Sequence, residues 1–164
     1  MKKMTKLFTL AILMLSFGAS TFAQATATAT ATIVTPIAIA KNTDMNFGNL
    51  AVNALLGTLV LATNNGRSFT GGVTLMPGGT PSAAQFTVTG LSGAIYTFSL
   101  PASITLTDAG SNTMAVNTFV NTSTGTLTGG SVIILVGATL NVAASQPAGI
   151  YTNTTDLTAT VNYN

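Results

Sequence analysis

The sequence has 164 residues, with five Lys or Arg, three Asp or Glu and no His, Cys or Trp, so that 5% of its residues are charged. Soluble domains usually carry about 25% charged residues, which excludes most cytosolic enzymes, and a basic nucleic-acid binder needs many more Lys and Arg. With no cysteine, neither a thiol-linked lipid anchor nor a disulfide is possible.

The chain opens with Lys2, Lys3 and Lys6, runs through the apolar stretch Leu7 to Leu15, and reaches small residues at Thr21 and Ala23. A basic head, a short apolar core and a small-residue end predict a secretory signal peptide over 1–23. The apolar stretch falls short of the roughly 20 residues that a transmembrane helix needs. The mature chain is expected to start at Gln24 and to be secreted. It keeps Lys41 and Arg67 against Asp44, Asp108 and Asp156, a net charge of −1. The apparent basicity belongs to the targeting segment.

Residues 24–35 are predicted to form an N-terminal extension. Ala25, Ala27, Ala29, Ala31 and Ile33 occupy one parity and Thr the other, so the segment alternates like a strand. Strict alternation, β-branched Thr and the lack of Gly favour an extended strand over a flexible linker. Pro36 removes a backbone donor and cannot sit in a central strand, so the domain proper is expected to span 36–164.

Within that domain, β-favouring runs recur between Gly, Asn and Pro breaks, the pattern of an all-β sandwich or barrel. Predicted strands follow in chain order: Ile37 to Ala40, Gly57 to Ala62, Val73 to Met76, Gln85 to Gly90, Ala94 to Leu100, Ser103 to Thr107, Thr113 to Phe119, Val132 to Val136, Ala138 to Ala143, Gly149 to Tyr151 and Leu157 to Tyr163. Alternation assigns the inner face to Phe86 and Val88, to Tyr96, Phe98 and Leu100, and to Ile104 and Leu106, with Thr and Ser outside, as in an antiparallel sheet with one packed face. In the last strand Leu157, Ala159, Val161 and Tyr163 share a face. A final strand with no successor leaves a sheet edge of unpaired backbone groups, and an extended segment from a neighbour can add to such an edge.

Catalytic chemistry has little to build on. General acid–base work needs a positioned titratable group, and the chain has no His, no Glu and three scattered Asp. A nucleophilic Ser or Thr needs an activating base. Asp108-Ala-Gly-Ser-Asn112 offers too few carboxylates for a calcium loop and is expected to be a β-turn. No catalytic, cofactor or metal site is predicted, and the protein is not expected to be an enzyme. Asn121 and Asn153 each begin a glycosylation sequon.

Several segments carry a family resemblance: the Ala-Thr run, Pro36-Ile-Ala-Ile, Asp44-Met-Asn-Phe-Gly48, Gly71-Gly-Val-Thr-Leu75, Ala84-Gln-Phe-Thr-Val-Thr-Gly90, Tyr96-Thr-Phe-Ser-Leu-Pro101, Val136-Gly-Ala-Thr-Leu140 and Gly149-Ile-Tyr-Thr with Val161-Asn-Tyr163. Together they resemble the bacterial secreted family of domain of unknown function 4402 and, more distantly, spore coat protein U and chaperone–usher pilins. The resemblance implies an immunoglobulin-like antiparallel β-sandwich that is incomplete and is completed by a donated N-terminal strand. It further implies a structural subunit of an extracellular filament, pilus or coat on a bacterium, a homopolymer assembled head-to-tail by donor-strand complementation, with a periplasmic chaperone and an outer-membrane usher as candidate partners. The expected donor residues are Ala25, Ala27, Ala29, Ala31 and Ile33; the expected acceptor edge is Leu157, Ala159, Val161 and Tyr163. The alternative expectation is a monomeric secreted sandwich, an adhesin that binds a glycan or surface.

Overall fold

A computed structural model describes residues 22–164; of the expected signal peptide, residues 1–21 lie outside the described residues. The chain divides into two units, Met1–Ile33 and Val34–Asn164. In the first, residues 22–33 form neither helix nor strand and are exposed.

The second unit is an all-β antiparallel sandwich of nine strands: β1 (Ala38–Thr43), β2 (Leu50–Leu61), β3 (Arg67–Leu75), β4 (Ala84–Thr89), β5 (Tyr96–Ser99), β6 (Ser103–Thr107), β7 (Thr113–Asn121), β8 (Ser131–Val142) and β9 (Thr160–Tyr163). Seven of them form one sheet in the order β1-β4-β8-β2-β3, with β7 also on β8 and β6 on β7; β5 and β9 form a second sheet. Strand β8 organises the fold. Its first half pairs with β4, from Thr89↔Ser131 to Ala84↔Val136, and its second half with β2, from Leu61↔Ala138 to Gly57↔Val142.

Period-two patterning explains the layering. Along β8 the even positions Ile134, Val136, Ala138, Leu140 and Val142 are all buried, while Ile133, Thr139 and Asn141 keep partial or full exposure on the other face. Two apolar clusters result. One gathers Phe47, Leu59, Leu61, Val73, Ile104, Met114, Val116, Ala138, Leu140 and Val142. The other gathers Ala84, Phe86, Val88, Tyr96, Leu127, Ile134 and Val136, with Phe98, Val161 and Tyr163 packed on it from the β5–β9 sheet. The Phe86 and Phe98 rings meet at 6.1 Å and 56°, a tilted aromatic contact. Met45, Phe119 and Leu157 pack against both clusters.

The strands differ from expectation in four places. Strand β2 starts at Leu50 rather than Gly57 and β3 at Arg67 rather than Val73, the two pairing along their length across a bulge between Val52 and Gly57. Two more differences fall later in the chain. Val132–Val136 and Ala138–Ala143 are one strand, because Gly137 keeps the parity and continues the ladder rather than ending it. The segment Gly149–Tyr151 forms no strand; only Thr152 makes an isolated bridge, to Thr107, through reciprocal backbone bonds of 3.0 Å. A segment that pairs at a single residue leaves the wall beside it open.

Candidate functional site

The open wall is the main feature of the sandwich. A cleft of about 1140 Å³ runs between residues 41–52, on one side, and residues 146–157 on the other. Its floor is core: Phe86 from β4, Ile104 and Leu106 from β6, Met114 from β7 and Leu140 from β8. Small-molecule sites typically enclose about 300–1,000 Å³ and carry a few convergent polar groups. This cleft is larger and longer, and its floor is apolar, which suits a chain segment.

Both lips are held in place by long-range hydrogen bonds. On the first, the Arg67 guanidinium donates from Nη1 to the carbonyls of Phe47 at 3.0 Å and Asn49 at 3.1 Å. Between them Gly48 takes φ +71°, and a Cβ there would lie 2.7 Å from that same nitrogen, so the turn and its clamp need a glycine. On the second lip, the buried Gln146 donates from Nε2 to the Thr113 carbonyl at 3.2 Å and to the Tyr151 hydroxyl at 2.9 Å. The Tyr151 hydroxyl in turn donates to the Pro147 carbonyl at 2.8 Å. Further along, Asn153 Nδ2 donates to Thr105 O at 2.8 Å and to Asp156 Oδ2 at 2.6 Å. That bond, with a second from the Thr155 hydroxyl, holds the Asp156 carboxyl below its ordinary pKa. These clamps fix the lips apart, so the cleft is preformed.

Asp108 closes a turn: its Oδ1 accepts the Asn112 amide at 2.7 Å and its Oδ2 accepts Asn112 Nδ2 at 2.9 Å, and the side-chain bond leads in lowering its pKa. Among the described residues no group of three or more His, Cys, Asp or Glu comes together, and no helix is long and apolar enough to cross a membrane. The Asn153 sequon amide is engaged on both sides by the bonds above. The Asn121 carboxamide accepts the Ser123 amide at 2.9 Å.

Of the expected acceptor residues, Leu157 lines the cleft. Ala159, Val161 and Tyr163 are half-buried on the second cluster, and β9 pairs with β5 through Tyr96↔Tyr163 to Ser99↔Thr160. Among the described residues β9 has no other ladder partner. The Tyr163 hydroxyl accepts from the Leu91 amide at 2.6 Å and donates to the Thr35 carbonyl at 2.8 Å, tying the root of the extension to the last strand. The expected donor residues Ala25, Ala27, Ala29, Ala31 and Ile33 are exposed; Ile33 is 99% so. Sequence reasoning missed Arg67 and Gln146 as lip clamps, since neither belongs to a periodic pattern and their partners lie far away in the chain. The single arginine of the sequence was the one available signal.

A family model described as Domain of unknown function (DUF4402) matches residues 37–163. No curated protein and no solved structure matches the chain.

Proposed function

The chain belongs to the family of domain of unknown function 4402, and we propose that it is a structural subunit of an extracellular bacterial filament or coat. Residues 24–34 of one copy insert into the cleft of the next, and the repeat builds a head-to-tail homopolymer. The observation that carries this proposal is the preformed cleft with its apolar floor in a chain that also carries an exposed, alternating extension.

The physical logic is complementary need. Apolar residues that stay open to water along the cleft, among them Leu50, Val52, Leu106 and Ile150, cost about 25 cal/mol per Å² of exposed surface, and an extended segment leaves every backbone group without a ladder partner. Strand addition satisfies both, with main-chain bonds for affinity and alternate side chains for fit. Each copy donates at one place and accepts at another, so the contact is heterologous and does not close unless the rotation makes a ring. Export through a signal peptide over 1–23 delivers the subunit to the cell surface. Before assembly the cleft needs a temporary cover, the role a periplasmic chaperone would play ahead of an outer-membrane usher. The near-absence of charge on the mature chain favours association.

Deleting Gln24 to Thr32 tests the proposal. Full-length protein should form filaments in negative-stain micrographs and the truncated protein should not; filaments of unchanged form from the truncated chain would overturn it. Full-length protein that stays monomeric at high concentration would favour a self-contained adhesin instead.

A further inference from the structure

Isolated exposed apolar residues are normal on a protein surface, but here two groups of them sit at opposite ends of the same strand. At the end of β8, Gly57 pairs with Val142 and the Ser145 amide donates to Asn53 O at 2.9 Å, which brings the bulge of β2 beside the loop after β8. Leu56 and Gln146 line one small pocket, and Gln146 and Ile150 both line the cleft. Leu55, Leu56 and Ile150 are 64%, 74% and 84% exposed there. At the start of β8, the Gly90 amide donates to Gly130 O at 3.0 Å and the Asn164 amide to Ile95 O at 3.2 Å. With the Tyr163 hydroxyl holding Leu91 and Thr35, this gathers Val34, Leu91 and Ile95, all at least two-fifths exposed. The strand of 12 residues separates the two groups by about 36 Å at 3.3 Å per step.

Resting on the strand-insertion proposal above, we infer that these two patches form a second, body-to-body interface between consecutive copies of this chain. Covalent reach selects the partners. From Ile33 to Ala38 are five steps, at most about 18 Å when fully extended. If Ile33 of a donor occupies a neighbour's cleft, the donor's body must therefore stand at that cleft's mouth. The Tyr163 tie to Thr35 fixes which end of the donor leads. With Val34 entering the cleft on the donated segment, the donor's Leu91 and Ile95 face the acceptor's Leu55, Leu56 and Ile150, and both patches leave water in one contact. Each joint is then held by an inserted strand and an apolar collar, and the polymer has a defined polarity.

The lack of cysteine makes the test clean. Full-length Ile95→Cys and Ile150→Cys variants are mixed, assembled and oxidised, and disulfide-linked dimers are counted on denaturing gels. Val120→Cys mixed with Ile150→Cys is the control, because Val120 is also exposed but pairs with Gly137 midway along β8. A disulfide requires Cα atoms within about 7 Å. The expected result is at least a tenfold excess of Ile95–Ile150 dimers over the control, and a ladder when both substitutions share one chain. Filaments that form while this pair links no better than the control would overturn the collar and leave strand insertion standing. Absence of any assembly by the wild-type chain would overturn both.

Discussion

Ile33→Ala isolates the contribution of the largest apolar side chain in the extension. Ile33 is 99% exposed, so in the unassembled protein the substitution removes no packing and should leave the thermal midpoint unchanged, as surface substitutions do within about 0.5 kcal/mol. On the strand-insertion proposal, the residue becomes buried in the assembled state, in the cleft whose lining includes Phe86, Ile104 and Met114. The lost ethyl and methyl branches are each worth about 0.8 kcal/mol per carbon, about 2.4 kcal/mol in all. At a factor of ten per 1.4 kcal/mol, the concentration needed for assembly should rise about 50-fold. Light scattering across a dilution series of full-length wild-type and variant protein reads this directly, with circular dichroism as the check on folding. A variant that assembles at the wild-type concentration would refute the burial of Ile33, whatever else holds the polymer together.

Arg67→Met keeps the aliphatic stem and deletes two charge-assisted bonds to the first lip; with the exposed Asn49 acceptor rehydrating, the loss is about 2 kcal/mol. The thermal midpoint should fall by roughly 6–8 °C, and a shift under about 2 °C would show the clamp to be idle. At Gly90 a Cβ would run into the Tyr163 hydroxyl, so Gly90→Ala should cost about 1–3 kcal/mol by overpacking. Combining it with Tyr163→Phe should recover part of that loss, and a strictly additive double-mutant cycle would contradict the contact. Asp108 and Asp156 are both held below the ordinary carboxylate pKa by side-chain hydrogen bonds. Their folded-state contribution is present above the unfolded pKa and lost as pH falls through the depressed one. Denaturant midpoints should therefore be flat between about pH 5 and 8, where the chain has no His or Cys to titrate, and should decline only below about pH 4. A midpoint that rises on acidification would contradict the sign.

The strands were legible because their burial follows a period of two. Phe86, Val88, Tyr96 and Ile104 are buried as their alternation requires, and the Asp108 turn forms with Asp at its first position. The continuity of β8 was missed: Ile134 to Val142 keep one parity, but Gly137 reads locally as a break, and the expected strands stopped on either side of it. The cleft could not be read from the sequence. Its lips are loops, whose course depends on contacts such as Arg67 with Phe47 and Gln146 with Thr113, and composition cannot show that the segment after Gln146 fails to pair. Leu157 was identified through its alternation with Ala159 and Val161. That it also lines the cleft depends on how the loop before it is clamped by Asn153.

On the strand-insertion proposal the extension becomes a hydrogen-bonded strand in a neighbouring copy. Amide hydrogen exchange over residues 25–33, compared between dispersed and assembled full-length protein, tests it most directly. These amides should exchange at the rate of an unstructured chain when dispersed, and be slowed by orders of magnitude, at alternate positions at least, once assembled. Equally fast exchange in both states would contradict the account, even if filaments are present.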